Sequence, residues 1–328
     1  MPAPHYFITG ATGLIGSHLA RHLLAAGSPV TALKRAGSSL ALVQDIANQI
    51  EWVEGDVLDM PLLTATFAHA DVVIHAAALV QFQPRHAEAM RQVNVEGTAN
   101  VVNACLLAGV KKMCYLSSVA ALGKAGADGK ITEKAMWDSQ AATTRYAESK
   151  HFGEREVWRG MAEGLNAVIV NPSVVLGEGL LGQSTGQLFQ YVANGARYYP
   201  SGLINLVDVL DVARAIQQLC ESEIRGEKFI LNAVNMPYQA FFGAVAHALG
   251  RPGPTRLLEP GLAWAVLGLA RLSAIFTGDS PKLTGEVVRA ASQQHRYSAQ
   301  KVEAALGFQF SPIDQTIARV GAYFRARQ

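Results

Sequence analysis

The sequence predicts an α/β fold, in which a doubly wound parallel sheet is followed by a smaller, mostly α lobe. Short apolar runs alternate with longer helical patterns from the first residues onward, and strands that alternate with helices form parallel sheets. Several runs consist almost entirely of Val, Ile and Leu, as expected of strands covered on both faces. The length of 328 residues exceeds what one hydrophobic core usually organises, which favours an additional lobe.

The elements are expected in a regular order. The first predicted strand, residues 6–8, precedes a predicted helix at 16–26, and the alternation continues from there. Glycines are frequent and charges rare between residues 171 and 200, which predicts a segment rich in loops. The remaining predicted strands are 30–33, 50–53, 71–74, 113–116, 167–170 and 229–231, and the remaining predicted helices are 93–108, 145–161, 238–249 and 261–273.

This order predicts how the chain divides. We expect residues 1–176, joined by about 203–233, to form the sheet domain, and residues 177–202 and 234–328 to form the smaller lobe. The most apolar helical pattern, 261–273, is expected to pack on this lobe or under a cavity. Contact with a membrane surface or with a second subunit is the alternative for that helix.

Composition and charge exclude several classes of protein. Half of the residues are hydrophobic and 16% are charged, which excludes a disordered or fibrous chain. The 28 Lys and Arg residues nearly balance the 26 Asp and Glu residues, and the formal net charge is +2. So small an excess does not support nucleic acid or an anionic membrane as a partner. Any phosphate group must therefore be bound by a few local residues.

The cysteines and the first residues indicate the compartment. Cys105, Cys114 and Cys220 show no Cys-x-x-Cys spacing, which argues against a disulfide framework or a structural zinc site. The chain does not open with a basic segment followed by an apolar one, as targeting sequences do. No apolar run reaches the roughly 18 residues of a membrane span. We expect a cytoplasmic protein with no metal and no transmembrane segment.

Three glycines follow the first predicted strand in the spacing Gly10-x-x-Gly13-x-x-Gly16. Such glycines allow a tight turn and a close approach of the backbone to a pyrophosphate, which the N–H groups of the helix N-terminus then face. The alternative is that they only turn the chain. Their place at the first strand–helix junction favours a dinucleotide site, with contacts from Gly10, Thr12, Gly13, Leu14, Ile15 and Gly16.

The end of the second predicted strand bears on which dinucleotide is bound. This strand ends in Lys34 and Arg35, about 20 residues beyond the glycines, where an acidic residue would bind the ribose 2′-hydroxyl of NAD. Two cations instead suit the 2′-phosphate of NADP, so NADP(H) is favoured over NAD(H). The alternative is a solvated pair of cations at a strand end.

Tyr146 and Lys150 begin a predicted helix and, four positions apart, share one of its faces. An ammonium beside a phenol favours the phenolate, so we expect a lowered pKa for Tyr146, which would make it a general acid or base. Two surface neighbours are the alternative for such a pair. The predicted strand 113–116, however, leads into Ser117 and Ser118, at the edge where open α/β sheets bind their ligands.

These and further motifs carry a family resemblance. The chain resembles the extended short-chain dehydrogenases/reductases of the NAD-dependent epimerase/dehydratase superfamily, and within them the dihydroflavonol-4-reductase-like and 3β-hydroxysteroid-dehydrogenase-like branch. The matching motifs span most of the chain: 9–16, 55–59, 75–78, 94–98, Ser117 and Ser118 with Gly123, Tyr146-x-x-x-Lys150, 171–177, and the closing segments 208–213, 297–298 and 306–308.

The resemblance implies a Rossmann fold and a role for each matching residue. Ser118 would bind the substrate oxygen, Tyr146 would exchange the proton, and Lys150 would hold the nicotinamide ribose and tune Tyr146. Asn94 would brace adjoining strands, and His75 would be a core histidine rather than a metal ligand. The implied cofactor contacts beyond the glycine loop are Lys34, Arg35, Asp56, Val57, Ala76, Ala77, Ala78, Ser117, Tyr146, Lys150, Pro172 and Val174.

The implied reaction is hydride transfer between a nicotinamide and a carbonyl or alcohol carbon, with Tyr146 as proton donor or acceptor. Nucleotide-sugar members of the family commonly carry Asn where this chain has Val174. Residues 178–206 contain Arg197 as their one Lys or Arg, and this disfavours a diphosphate. An uncharged, partly apolar substrate is favoured by the residues expected to line its site: 79–82, 119–122, Tyr198 and Tyr199.

Two other functions remain open at this point. A nucleotide-sugar epimerase or dehydratase would retain its nicotinamide cofactor and would not consume NADPH. A non-catalytic NADP-binding regulator would lack the Tyr-x-x-x-Lys pair, so Tyr146 and Lys150 favour an enzyme. The resemblance also implies a homodimer formed through the helices at 95–108 and 146–161.

Overall fold

The computed structural model describes residues 3–81, 84–138, 144–180, 182–183, 185–259 and 291–327. The strands are β1 (Tyr6–Thr9), β2 (Val30–Lys34), β3 (Glu51–Glu54), β4 (Val72–His75), β5 (Lys112–Leu116), β6 (Ala167–Pro172), β7 (Val174–Leu176), β8 (Tyr198–Tyr199), β9 (Leu203–Asp208), β10 (Glu227–Leu231), β11 (Val234–Pro237) and β12 (Arg256–Leu257). The helices are α1 (Leu14–Ala25), α2 (Met60–Phe67), α3 (Ala87–Arg91), α4 (Gly97–Ala108), α5 (Arg145–Ala162), α6 (Gly186–Ala193), α7 (Val209–Glu221), α8 (Tyr238–Leu249), α9 (Gln300–Leu306) and α10 (Ile313–Arg325).

Seven parallel strands form the large sheet, in the order β3-β2-β1-β4-β5-β6-β10. The predicted doubly wound parallel sheet is therefore confirmed. The strand order reverses beside β1, which pairs in parallel with both β2 and β4 and places Thr9 opposite Leu33 on one side and His75 on the other. Open α/β sheets bind their ligands at such a reversal, outside the carboxyl ends of the strands.

The central strands of this sheet are buried on both faces. Side chains alternate along a strand, so Tyr6 and Ile8 of β1 pack in the core shared with α1 and α7, whereas Phe7 packs in the core shared with α2 and α4. All four β1 residues are buried. Burial on both faces explains why the strands appear in the sequence as nearly unbroken apolar runs.

A second sheet lies in the later part of the chain. In it β9 pairs in parallel with β7 and antiparallel with β11. Its core joins residues of these strands to the helices α6, α8 and α10. Only Ser173 separates β6 of the large sheet from β7 of the second sheet. The core residues of this lobe with the largest side chains are Phe189, Phe241, Phe242 and Phe324.

The loop-rich segment predicted between residues 171 and 200 is only partly correct, because it contains β7 and the helix α6. A three-residue strand is too short to show a pattern, and α6 begins at Gly186, a residue with low helix propensity. The predicted domain boundaries stay predictions: β10 joins the large sheet, β9 belongs to the second one, and Val302 and Phe308 pack in the core beside α1.

Two predicted features lie outside the described residues: the apolar helix at 261–273, and Phe82 among the expected lining residues. Within the described ranges, no helix combines the length and the apolar character needed to cross a bilayer.

Candidate active site

The loop between β1 and α1 has no room for side chains at two of its glycines. Gly10 has a φ of +80°, and a Cβ there would lie 2.6 Å from the backbone nitrogen of Ala77. A Cβ on Gly16 would overlap the carbonyl oxygen of Gly10. The helix begins after Gly13, which has no side chain to cap it, so the first N–H groups of α1 are available to an anion. The geometry therefore fits a bound pyrophosphate.

Two connected cavities follow the carboxyl edge of the large sheet. The larger one has a volume of about 800 Å³ and the smaller one about 200 Å³, and Gly10, Gly13, Ala76 and Ala78 line both. The structure brings every predicted site residue to one of them. The larger cavity is also lined by Leu14, Ile15, Gly16, Ser117, Ser118, Tyr146, Lys150, Pro172 and Val174, and the smaller one by Thr12, Lys34, Arg35, Asp56, Val57 and Ala77.

Lys34 and Arg35 differ in their surroundings. Lys34 Nζ donates to a Glu54 carboxylate oxygen 2.8 Å away, so its charge is already paired. Arg35 is exposed and lines both the smaller cavity and a neighbouring one of about 240 Å³. Thr12, Gly13 and Ser38 are shared by these two cavities, and Ser39 lines the second. A phosphate group near Arg35 would meet one guanidinium and several hydroxyl groups.

Ser118 and Tyr146 meet in the larger cavity. The helix α5 begins at Arg145, and the side chain of Thr144 caps it by accepting from the Ala147 N–H at 2.9 Å. This cap sets Tyr146 in the first turn, where it forms a hydrogen bond with Ser118. Burial raises the pKa of Tyr146, and the Ser118 hydrogen bond opposes this shift. The lowered pKa expected from the sequence is therefore wrong for this structure.

Lys150 lies one helical turn beyond Tyr146 and is 2% exposed. Its Nζ donates to the carbonyl oxygen of Leu116 at 2.6 Å and lies 4.6 Å from the centroid of the Tyr115 ring. Burial lowers the pKa of Lys150 to about 7, while the nearby carboxylate of Glu154 acts in the opposite direction. The Lys150 ammonium is thus held at Leu116, the last residue of β5, which directly precedes Ser117 and Ser118 in the chain.

His75 is a core histidine, as predicted, whereas Asn94 joins the segment after β4 to α5 and not two adjoining strands. His75 is fully buried, with Nδ1 2.7 Å from Thr9 Oγ1 and Nε2 3.0 Å from Thr98 Oγ1. Burial lowers the pKa of His75 to about 3, so the ring stays neutral. The Asn94 amide bonds the backbone N–H and carbonyl of Leu79 and the hydroxyl of Ser149. In the part of the chain that the structure describes, no group of three or more potential ligands could hold a metal.

The residues expected to line a substrate site are only partly the ones observed. Val80, Val119, Ala120 and Leu122 line the larger cavity. Tyr198 and Tyr199 instead form β8, which pairs with β12, and neither belongs to the described lining. The sequence-based assignment missed lining residues from four distant segments, which no local motif connects: Trp137, Asn205, Tyr238, His295 and Tyr297.

Two residues that line the larger cavity carry unpaired polar atoms. Ser173 Oγ and Asn205 Oδ1 are buried without a hydrogen-bond partner among the described residues, and both residues line the larger cavity. Opposite Asn205 in the second sheet, Asn235 bonds both the backbone N–H and the carbonyl of Tyr297. Buried polar atoms are normally satisfied, so each of these two is an exception within the described part of the chain.

Comparison with known proteins identifies the family. The model described as the NAD dependent epimerase/dehydratase family matches residues 6–232. The chain belongs to this family, whose members include the extended short-chain dehydrogenases/reductases. The family and the NAD(P)-dependent enzyme class that the motifs predicted are confirmed.

Relatives match over nearly the full length. The chain is 30% identical over 326 residues to a Synechocystis sp. protein named for dihydroflavonol 4-reductase, covering 98% of this chain and 94% of that protein. It is 26% identical to the 3β-hydroxysteroid dehydrogenase/Δ5→4-isomerase of Mycobacterium tuberculosis, covering 92% and 85%. The crystal structure of gox2253 is similar with a TM-score of 0.85 and 30% identity, covering 99% and 98% of the two chains.

Proposed function

We propose that this protein is an NADP(H)-dependent oxidoreductase that interconverts a ketone or aldehyde and an alcohol on a relatively apolar substrate. The observation that carries the proposal is that Ser118, Tyr146 and Lys150 line one cavity with the glycine loop. A substrate oxygen placed between Ser118 and Tyr146 would therefore lie beside a dinucleotide bound along the sheet edge.

The cofactor fits the residues that line the two cavities. The Gly10–Gly16 loop would hold the pyrophosphate, and Asp56 with Val57 would contact the adenine. A 2′-phosphate would be bound by Arg35, supported by Thr12, Ser38 and Ser39 in the adjoining cavity. Lys34 contributes less to this selectivity than Arg35, since Glu54 already pairs its charge. Pro172, Ser173 and Val174 line the end of the larger cavity where the nicotinamide would lie.

The proposed chemistry divides between cofactor and protein. A bound nicotinamide supplies or accepts the hydride. Ser118 Oγ and Tyr146 Oη donate hydrogen bonds to the substrate oxygen and stabilise the negative charge that develops on it. Tyr146 then delivers its proton from Oη. The phenol of Tyr146, whose pKa is raised by burial, is protonated at neutral pH, as a proton donor in reduction must be.

The larger cavity supports an uncharged substrate with a polar end. Apolar side chains such as Val80, Leu122 and Trp137 form much of its wall, and Asn205 adds a polar side chain. Two relatives are named as a dihydroflavonol reductase and a hydroxysteroid dehydrogenase. The substrates in these names are ring-bearing compounds of this kind. Val174 and the scarcity of cations in 178–206 disfavour a sugar nucleotide.

The test is to incubate the protein with NADPH and a panel of ketones, aldehydes and sugar nucleotides while following nicotinamide absorbance. Oxidation of NADPH by an apolar ketone or aldehyde, but not by sugar nucleotides, is the expected result. Conversion of a sugar nucleotide without net consumption of NADPH would assign an epimerase or dehydratase instead. NADPH binding without turnover of any compound would favour a regulator.

The proposal extends to the location and assembly of the protein. The three cysteines are buried and free, which supports a reducing, cytoplasmic setting.

A homodimer through α4 and α5 would cover apolar side chains exposed on these helices, namely Leu107, Phe152 and Trp158. Light scattering on the purified protein measures the subunit number directly, and a monomeric mass would contradict the dimer.

A further inference from the structure

Glu154 is a buried carboxylate that the proposed reaction does not use. It is 3% exposed and lies on α5, one turn beyond Lys150 and two turns beyond Tyr146. Residues four apart in a helix share a face, with about 6 Å between their Cβ atoms, so the three side chains form one row. Burying a charge is unfavourable unless it is paired and hydrogen-bonded. The contacts of Glu154 therefore indicate which groups its charge stabilises.

One oxygen of Glu154 joins the ends of two strands. Its Oε1 accepts from Ser117 Oγ at 2.6 Å and from Asn171 Nδ2 at 2.5 Å. The same Asn171 nitrogen also donates to the carbonyl oxygen of Ser118 at 2.9 Å. Since Ser117 follows β5 and Asn171 lies near the end of β6, Glu154 ties both strand ends to α5. These hydrogen bonds hold the backbone that carries Ser118 in place.

The second oxygen faces a cation. Glu154 Oε2 lies 3.7 Å from Lys228 Nζ of β10, and the Lys228 side chain is 17% exposed. Lys150 lies one helical turn before Glu154 on α5, and the charge of Glu154 favours the protonated form of Lys150. The carboxylate is therefore near two lysines, one that is partly exposed to solvent and one that lines the cavity.

We propose that Glu154 is a positioning residue of this site, which fixes the backbone that carries Ser118 and supplies a negative charge that favours the ammonium form of Lys150. This inference rests on the proposed function, because Ser118 and Lys150 matter through the roles assigned to them there. Glu154 acts through these two residues and touches neither substrate nor cofactor.

Other groups around Lys150 act differently on its charge. Tyr146 shares its helix, and the Tyr115 ring of β5 stacks against its ammonium. His75 of β4 is neutral, because burial lowers its pKa to about 3. Burial, and then the cations Arg155 and Lys228, lower the pKa of His151, the next residue on α5. Glu154 is thus the group among these that opposes the effect of burial on Lys150.

The test uses Glu154→Gln, which removes the charge but keeps the shape and an oxygen that can accept from Ser117. The control is Glu148→Gln, which removes an exposed carboxylate from the same helix. The titration of Lys150 is followed by NMR in protein carrying isotope-labelled lysine, with Lys150→Met identifying the signal. Melting temperatures show that each variant is folded.

We expect Lys150 in Glu154→Gln to titrate about one pH unit lower than in the wild-type protein, and Glu148→Gln to leave this titration unchanged. An unchanged titration of Lys150 in a folded Glu154→Gln protein would overturn the proposal, whatever happens to the melting temperature. Glu154→Asp keeps the charge and should return the titration toward that of the wild-type protein, and a titration as low as that of Gln would also overturn it.

A second readout uses turnover. Once a reducible substrate is found, Glu154→Gln should move the alkaline decline of kcat to lower pH and leave the KM for NADPH nearly unchanged. A loss of kcat that is equal at every pH would indicate a merely structural role and contradict the proposal. The NMR titration needs no substrate, so a failure of the proposed function, seen as no turnover by the wild-type protein, is distinguishable from a failure of this inference.

Discussion

Lys150 Nζ and the carbonyl oxygen of Leu116 are 2.6 Å apart and share a hydrogen bond that joins α5 to the end of β5. An ammonium has three N–H donors, so this bond is compatible with two more to the ribose hydroxyls of a nicotinamide cofactor. The same bond fixes how far α5 lies from Ser117 and Ser118. Several consequences of this arrangement can be measured.

The rate of carbonyl reduction should depend on the protonation of Lys150. Burial lowers the pKa of Lys150 to about 7, so the ammonium predominates below that pH and is lost as the pH rises through it. We expect kcat for reduction to fall as the pH is raised above about 7. A pH profile of kcat at saturating NADPH and substrate checks this, and a rate that rises steadily from pH 6 to 9 would contradict it.

Replacing Tyr146 by Phe removes the hydroxyl that is proposed to deliver the proton. General acid–base groups contribute about 10²- to 10⁴-fold, so turnover should fall by that factor while NADPH still binds. Tyr191→Phe is the matched control. Tyr191 is exposed on α6, and its Oη donates to the carbonyl oxygen of Tyr198. Steady-state kinetics and NADPH fluorescence titration measure the two effects. Near-normal turnover by the Tyr146 variant would refute the role.

Replacing Arg35 by Ala should weaken NADPH binding and leave NADH binding nearly unchanged. A charge-assisted hydrogen bond contributes about 1.5–3 kcal/mol, which corresponds to roughly ten- to a hundredfold in Kd. Lys34→Ala is the control at the neighbouring position, and its effect should be smaller because Lys34 is paired with Glu54. Calorimetric titration with NADPH and with NADH measures these changes in Kd. Equal affinity of the wild-type protein for NADH and NADPH would remove the basis of this prediction.

Replacing Gly10 by Ala should abolish cofactor binding, because the new Cβ would press on the backbone at Ala76 and Ala77. The left-handed backbone adds strain, and a loss of about 1–3 kcal/mol in the free energy of unfolding is expected. Gly27→Ala separates the two effects: Gly27 has a φ of +81° but nothing within 4 Å of its Cβ position. This control should lose stability and keep NADPH binding, as measured by denaturant unfolding and titration.

The sequence predicted the large sheet well because its central strands are buried on both faces and are therefore nearly continuous in apolar residues. The glycine loop, Ser118, Tyr146 and Lys150 were also accessible, since each lies at a strand end or helix start that a local pattern marks. The surroundings of these groups could not be predicted from local patterns. Burial by distant segments raises the pKa of Tyr146, and no spacing of residues along the chain encodes that burial.

The substrate end of the cavity was predicted least well. Asn205 and His295 line it from segments far apart in the chain, and their proximity depends on the pairing of β9 with β11 and on the contact of Tyr297 with Asn235. Tyr198 and Tyr199 were expected there because they are aromatic. Instead they form a short strand, so aromatic character alone did not indicate a place in the cavity.

The single residue between β6 and β7 has an evolutionary consequence. Ser173, whose backbone N–H donates to Leu231 at 3.0 Å, is the point at which the chain leaves one sheet for the other. The lobe beyond it is built around a separate core. Lining residues such as Asn205 and Tyr238 can therefore diverge while the glycine loop and Tyr146 keep their places. New substrates could arise in such a protein by exchanging the lobe's side chains, with the transfer of the hydride inherited unchanged.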